Sequence, residues 1–161
     1  MFASNSSTII LLAKISLLSK FLDKAKKIAI TGVVYEEILK KDSFENLIIK
    51  KEVEKGRIKI EDIETKFFSG IINQFKLDEG EASAFALCKS KNYAGILTDD
   101  KELIKLCKIE SIKFSSAMAI VVMLFREKII SKSEAMEKIE NLQGYGRYSK
   151  EVYDYFKEMV R

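Results

Sequence analysis

Residues 77–87 read LDEGEASAFAL, and residues 94–100 read AGILTDD. The first run opens on carboxylates and continues with small and apolar residues, which is typical of a helix that begins near Asp78. The second run is apolar until it ends on two acids, as expected of a parallel strand that is covered on both faces. Ligands of open α/β sheets bind beyond the carboxyl ends of such strands, so Asp99 and Asp100 are candidate site residues.

Length, composition and net charge limit the classes of protein to which this chain can belong. Its 161 residues are 47% apolar and 32% charged, which predicts a single domain over residues 1–161. No apolar run reaches roughly 18 residues and no secretory leader is visible, so we expect a cytoplasmic protein with no membrane span. The net charge of +4 is too small to indicate nucleic acid by itself.

Histidine is absent, and the only cysteines are Cys88 and Cys107. Their surroundings are helical apolar patterns without a CxxC motif, which argues against both a zinc site and a structural disulfide. Catalysis by Ser-His or Cys-His pairs is excluded as well. Any catalysis must therefore come from carboxylates, lysine, tyrosine or a metal ion.

Alternating strand and helix patterns predict a three-layer α/β/α sandwich around a parallel sheet of four or five strands. Strands are predicted at 2–5, 28–31, 57–60, 94–98 and 112–114. Helices are predicted over 6–19 (one or two helices), 33–55, 63–76, 78–91, 102–108, 133–142 and 149–160, with a further helix running from Ser115 or Ser116 to Phe125. The helices from about residue 133 onward are expected to pack on the domain.

Several polar side chains are expected at the carboxyl edge of this sheet. The candidates, which follow a strand or lie in the first turns of a flanking helix, are Asn5, Glu36, Glu37, Glu81, Asp99 and Asp100. Clustered carboxylates repel one another unless a hard cation such as Mg²⁺ or Mn²⁺ neutralises them. Such an ion binds phosphates and activates water, as phosphodiester hydrolysis requires. Helix capping is the simpler alternative, because Asp78–Glu81 and Asp99–Glu102 both fit capping boxes.

Taken together, these segments resemble the PIN domain family, and in particular its VapC-like toxin branch. The likeness covers nearly the whole chain in order and is carried by SNSSTIILLAKISLLSKFL, ITGVVYEEIL, LDEGEASAFAL, AGILTDD and the apolar helix after KFSS. GEASAFAL followed by LTDD is its most specific part. The resemblance implies a three-layer α/β fold that cleaves RNA with Mg²⁺ or Mn²⁺ held by three or four acids.

By motif, the resemblance assigns the metal ligands to Glu37, Glu81 and Asp100. Glu36 and Asp99 are the neighbouring alternatives. Asn5 departs from the family pattern, which usually has Asp after the first strand. An amide oxygen can bind a hard cation, but it brings no charge and cannot act as a base. The expected catalytic set is therefore Asn5, Glu37, Glu81, Asp99 and Asp100.

The leading hypothesis is a metal-dependent endoribonuclease, the toxin of a toxin–antitoxin pair. The alternative is a catalytically weak or inactive module that binds RNA or a protein partner. A third reading, another Mg²⁺-dependent phosphoryl enzyme, would need a nucleophilic Asp or a Gly-rich phosphate loop, and GEASA is neither. Partner faces for a homodimer or an antitoxin are expected on the apolar stripes at 9–18 and 67–75, with ordinary core as an equal alternative, whereas the helix 117–125 should be buried.

Overall fold

A central sheet of five parallel strands organises the computed structural model, which describes residues 1–24, 27–146 and 148–161. The strands are β1 (Phe2–Ser4), β2 (Ile28–Thr31), β3 (Ile58–Glu61), β4 (Gly95–Leu97) and β5 (Phe114–Ser115). They lie in the order β3-β2-β1-β4-β5, so that the first strand in the chain occupies the centre of the sheet. Every neighbouring pair is parallel, which brings all the carboxyl ends to one edge. The parallel sheet predicted from the sequence is confirmed.

Ten α-helices flank this sheet in the described part of the chain. They are α1 (Ser6–Lys14), α2 (Leu18–Lys24), α3 (Gly32–Leu39), α4 (Phe44–Glu54), α5 (Ser69–Ile72), α6 (Glu79–Lys91), α7 (Lys101–Ile109), α8 (Ala117–Arg126), α9 (Lys132–Gly144) and α10 (Lys150–Val160). A short 3-10 turn, Lys66–Phe68, precedes α5. None of the described helices combines the length and the apolar character that a membrane span requires.

Two hydrophobic cores cover the opposite faces of the sheet. Along β2, Ile28 and Ile30 belong to one core and Ala29 to the other, as the alternation of side chains along a strand requires. The first core is filled mainly by α1, α2, α8 and α9, and the second by α6 and α7. Because both faces are covered, the strands are apolar throughout, and the predicted three-layer sandwich is confirmed.

The single helix predicted over 33–55 is wrong, because the chain breaks between α3 and α4. Helix α3 ends at Leu39, and Ser43 has an extended backbone, with φ −139° and ψ 160°, just before α4 begins. Short polar side chains such as Asp42 and Ser43 offer the backbone alternative hydrogen bonds and favour turns and caps over helix interiors. The break leaves Lys40 and Lys41 on an exposed turn.

The helix predicted over 63–76 is also wrong in extent, since only the 3-10 turn and the single turn of α5 form there. Neither piece has a side-chain cap, and Gly70 lowers helix propensity within it. Phe67 is 88% exposed rather than facing the core.

The apolar stripe at 9–18 is buried in the first core, so the prediction of a partner face there is wrong. Ile9, Leu12 and Leu17 are all fully buried, because they belong to the first core together with Ile28 and Ile30 of β2. The prediction for the helix at 117–125 is confirmed, since most of α8 is buried. Helices α9 and α10 pack against this core through residues that include Ala135, Ile139, Leu142 and Val160.

Candidate active site at the carboxyl edge

Asn5 follows β1, and its buried amide is fixed on both sides by the protein. Its Oδ1 accepts a hydrogen bond of 3.2 Å from the backbone N–H of Thr8 and so caps α1. Its Nδ2 donates to Oγ1 of Thr98 over 3.1 Å, directly after β4. The side chain therefore ties together the ends of the two central strands, and an aspartate here would keep the cap but lose the donor.

Glu37 reaches this edge from the second half of α3, and its carboxylate is held from two directions. Its Oε2 accepts a hydrogen bond of 2.8 Å from the hydroxyl of Ser6. Its carboxyl group also lies against Gly80 on α6, where an added Cβ would come within 2.5 Å of Oε1. The missing side chain at Gly80 thus makes the space that Glu37 occupies. Its neighbour Glu36, the alternative considered from the sequence, is exposed.

Glu81 belongs to the N-terminal capping box of α6, as the sequence predicted. Asp78 Oδ1 accepts from the backbone N–H of Glu81 over 2.7 Å, and Glu81 Oε2 accepts from the backbone N–H of Asp78 over 3.0 Å. Burial raises the pKa of Glu81 to about 7, and the negative charges of Asp100 and Asp78 add to this rise, against the opposing hydrogen bond from the Asp78 backbone. The Glu81 side chain therefore helps to cap α6 and is at the same time repelled by neighbouring acids.

Asp100 is the acid that lies beside Glu81, close enough for the two carboxyl groups to share a hydrogen bond. It also caps α7, because its Oδ1 accepts from the backbone N–H of Leu103 over 2.8 Å. The predicted Asp99–Glu102 capping box is accordingly wrong by one residue, since Asp100 occupies the cap position. Thr98 Oγ1 accepts from the backbone N–H of Asp100 over 3.0 Å and fixes the start of this turn.

Asp99 turns away toward α1 and α8. Its Oδ2 accepts a hydrogen bond of 2.7 Å from the hydroxyl of Thr8, and the backbone N–H of Ala117 donates to both carboxylate oxygens. The hydroxyl of Tyr148 also donates to Asp99. Two adjacent aspartates therefore have different surroundings, with Asp100 next to Glu81 and Asp99 bound by groups from three other segments.

A cavity of about 550 Å³ opens at this edge. Asn5, Glu37, Asp78 and Glu81 line it, whereas Asp99 and Asp100 do not. The other lining residues, which are hydroxyl, apolar, basic or aromatic, are Ser6, Ser7, Ile10, Leu11, Lys14, Lys40, Lys41 and Tyr145. Three of the predicted site residues are thus brought around one cavity, and Asp100 joins them through its contact with Glu81.

The donors at this cavity suit a hard cation that binds oxygen, although the acids do not converge on one point. Among the described residues, no group of three or more His, Cys, Asp and Glu side chains is placed to hold a metal ion. Mg²⁺, however, commonly binds through one or two carboxylates and keeps several waters. The Glu81–Asp100 pair has that form, and a cation would relieve the repulsion that contributes to the raised pKa of Glu81. The pair fits a hydrated Mg²⁺ or Mn²⁺.

Sequence reasoning missed the residues that position these acids. Gly80 and Ser6 shape the place of Glu37, while Thr8 and Thr98 hold the segments that carry Asp99 and Asp100. The glycine between two acids in EGE was the available signal, because a helix gains nothing from glycine at that position unless a neighbour needs the space. The lysines and Tyr145 around the cavity lie in separate segments, so no local pattern joined them.

Comparison with known proteins agrees with this architecture. A family model described as PIN domain matches residues 1–160, which is nearly the whole chain. No curated protein and no solved structure matches the chain at a significant level. The matching region includes all five strands and every acid of the candidate site. The chain therefore belongs to the PIN domain family.

Proposed function

We propose that this protein is a metal-dependent endoribonuclease that hydrolyses RNA phosphodiester bonds. The observation that carries the proposal is the Glu81–Asp100 pair, of which Glu81 lines the open cavity. Burial and the neighbouring acids raise the pKa of Glu81 to about 7. Among the described residues, neither acid forms an ion pair with a lysine or arginine, and acids with a strongly perturbed pKa at a cavity are candidates for functional sites. Membership of the PIN domain family, a nuclease-type fold, supports the same conclusion.

Glu81 and Asp100 would hold the Mg²⁺ or Mn²⁺, with Glu37 beside them. The bound ion would supply a Lewis acid for the phosphate and lower the pKa of a water molecule, so that no histidine is needed. Ser6 and the open space at Gly80 orient the carboxylate of Glu37 into the cavity. Asn5 caps α1 and so positions Ser6 at the start of that helix. Because its side chain is neutral, the site has one negative charge fewer than it would have with aspartate.

The alternative proposal is a module that binds RNA or a protein partner with little or no cleavage. One observation favours it, because both ends of the Asn5 amide are already engaged, by Thr8 and by Thr98. Under this alternative the acids of the family motif are present, but they bind a cation too weakly to support RNA cleavage.

Partners belong to the proposal as well. The VapC-like resemblance supports a toxin that is neutralised by an antitoxin, acting in the cytoplasm. The buried free thiols Cys88 and Cys107 are compatible with a reducing compartment. For a homodimer, the exposed Phe67, which lines a shallow groove with Asp62 and Ile63, is the best remaining part of the stripe at 67–75. Sedimentation of the protein and of Phe67→Ser tests this, and a strict monomer at high concentration would contradict it.

Cleavage of a labelled single-stranded RNA, with Mg²⁺, with Mn²⁺ and with EDTA, tests the enzyme. We expect Glu81→Gln and Asp100→Asn to lower the rate by about 100-fold or more, because each removes a charge that holds the cation. Glu79→Gln is the matched control, since Glu79 lies in the same helical turn but is exposed. Cleavage that persists in EDTA, or that survives Glu81→Gln unchanged, would sink the metal mechanism.

The variant Asn5→Asp separates the two proposals. It keeps the oxygen that caps α1 and adds a carboxylate at the end of β1, so it should tighten metal binding and raise the cleavage rate. Absence of cleavage in both the native protein and Asn5→Asp would favour the binding module.

A further inference from the structure

Tyr145 stands at the rim of the cavity, on the loop that follows α9. Its residue is 42% exposed, and the ammonium group of Lys14 lies 4.9 Å from the centre of its ring. A Cβ added at either flanking glycine, Gly144 or Gly146, would meet nothing within 4 Å. Gly146 also has a positive φ of 73°, which favours glycine and turns the chain directly after the tyrosine. The ring is therefore presented on an open loop instead of being packed into the core.

The ring of Tyr145 has a lysine beside it but no aromatic neighbour among the described residues. In the described part of the chain, no other aromatic ring contacts Tyr145, in contrast to Tyr155, which packs edge-on against Phe156. Aromatic rings on a polar rim are suited to stacking, because they offer a large apolar surface at a small cost in side-chain entropy.

The lysines of the same cavity are available for anions. Lys14, Lys40 and Lys41 all line it, and none lies within 4.0 Å of a carboxylate among the described residues. Elsewhere on the surface, lysines such as Lys20 and Lys89 are paired with glutamates. Unpaired lysines around a pocket attract phosphate groups and make binding depend on salt.

The cavity thus combines three chemistries that a nucleotide requires. Carboxylates, lysines and the exposed ring of Tyr145 all line the same cavity. A phosphate needs the positive charges, and a nucleobase can stack only if it is free of its own neighbours, as in a single strand. A continuous duplex would present no base face to Tyr145.

We propose that Tyr145 is the stacking platform for one nucleobase of a single-stranded RNA and that Lys14, Lys40 and Lys41 bind the phosphates next to it. This inference rests on the proposed function, because it names the substrate contacts of the same cavity. It assigns the choice of cleavage position to a base on Tyr145, whereas the acids act on the phosphodiester.

Binding of a fluorescein-labelled, unstructured RNA oligonucleotide in EDTA tests this without requiring cleavage. We expect Tyr145→Ala to weaken binding by about tenfold or more, as is typical of losing a base–aromatic stack, and Tyr145→Phe to bind like the native protein. Tyr155→Ala is the matched control and should bind normally, since Tyr155 is an exposed tyrosine outside the cavity. Equal affinity of Tyr145→Ala and the native protein would overturn the proposal.

An abasic scan gives the sharper readout. Oligonucleotides that lack one base at successive positions should show one position at which the native protein loses affinity, and Tyr145→Ala should be insensitive to that same loss. A position that remains equally important in both proteins would overturn the stacking role. Each single replacement of Lys14, Lys40 or Lys41 by alanine should reduce the slope of log affinity against log salt by about 0.7, and an unchanged slope would remove that lysine from the phosphate contacts.

The failures of the two proposals are distinguishable. If RNA binds with the Tyr145-dependent abasic signature but no metal supports cleavage, the nuclease proposal fails and the stacking platform stands. If cleavage depends on Glu81 and a metal, but Tyr145→Ala leaves kcat/KM and the cleavage position unchanged, the nuclease stands and the platform fails.

Discussion

Two acids of this protein, the buried Glu52 and the half-buried Glu81, have opposite surroundings. Glu52 lies on α4, where its Oε2 accepts a hydrogen bond of 2.6 Å from Nε of Arg57 and Lys55 lies 3.4 Å from Oε1. Burial alone would raise the pKa of Glu52, but the hydrogen bonds and charges of Arg57 and Lys55 outweigh it and hold that pKa below its usual value. At Glu81 burial acts with the negative charges of Asp100 and Asp78, and the pKa rises to about 7.

The difference separates an acid whose charge is compensated within the protein from one whose charged form is disfavoured by its surroundings. Glu52 already has its cations, so it needs nothing from outside the chain. The charges of Asp100 and Asp78 raise the pKa of Glu81, and Glu81 lines a cavity, so a bound cation would offset the repulsion between these acids. Four measurements test this contrast.

The largest effect is expected when Glu52 loses its partner. Arg57→Met should lower the free energy of unfolding by about 3 kcal/mol, because the buried carboxylate keeps only the more distant Lys55. Urea denaturation at pH 7 measures it. Lys20→Met, which breaks the more exposed pair with Glu134, should cost less than about 1 kcal/mol. Equal losses in the two variants would show that the Glu52 pair is no more important than a surface pair.

Added Mg²⁺ or Mn²⁺ should stabilise the protein through the Glu81–Asp100 pair. At a concentration near 100 times the Kd, the gain should be about 2.7 kcal/mol. Asp100→Asn should abolish this gain while keeping the cap of α7, because asparagine caps helices as well as aspartate does. Thermal unfolding with and without the ion is the measurement, with Glu79→Gln as the control. An identical shift of Tm in Asp100→Asn would place the cation elsewhere.

The raised pKa of Glu81 should give stability a particular dependence on pH. The unfolded chain loses this proton near pH 4.5 and the folded protein near pH 7, so stability from this group is full below pH 4.5 and is lost as the pH rises to about 7. Compared with Glu81→Gln, the native protein in EDTA should lose about 1–2 kcal/mol across that interval, allowing for screening by solvent. Parallel stability curves for the two proteins, followed by chemical denaturation, would contradict the shift.

The smallest change in stability is expected at Gly80, together with a clear change in activity. Gly80→Ala should alter the free energy of unfolding by less than about 1 kcal/mol, because the group it displaces is the flexible end of Glu37 and alanine favours the helix. The displaced carboxylate should lose its bond to Ser6, and cleavage should fall by about tenfold or more. Gly70→Ala, with nothing within 4 Å of the new Cβ, is the control. Unchanged cleavage in Gly80→Ala would mean that the position of Glu37 does not matter.

Much of the fold could be predicted because its signals are local. The apolar run before Asp99 is sufficient to predict a buried strand, and the spacing of Asp78 and Glu81 is sufficient to predict the capping box. The break at Asp42 and Ser43 was missed because helical spacing of apolar residues continues on both sides of it. The spacing of apolar residues indicates which residues face a core, but it does not show whether one helix or two shorter helices carry them.

The site itself depends on contacts that no local pattern contains. Asp99 and Asp100 are neighbours in sequence, and they are distinguished by Thr8 and Ala117, which bind only the first of them, and by Glu81, which lies beside the second. Likewise, Glu37 needs the space at Gly80, which lies on another helix. Motif resemblance therefore selected acids that lie near this edge of the sheet, but the differences between their surroundings are visible only in the tertiary structure.

The central position of β1 has a consequence for the order in which the protein can fold during synthesis. This strand leaves the ribosome before the other four, and its pairing with β2 becomes possible once Thr31 has emerged. Its other edge must wait for β4, which lies more than 90 residues later along the chain (Ala3 pairs with Ile96). Until β4 has been synthesised, one edge of β1 has no strand to pair with, although β1 is the central strand of the folded sheet. Asn5 and Thr98 cannot meet before that wait ends, so the candidate site cannot form until more than half of the chain has been synthesised.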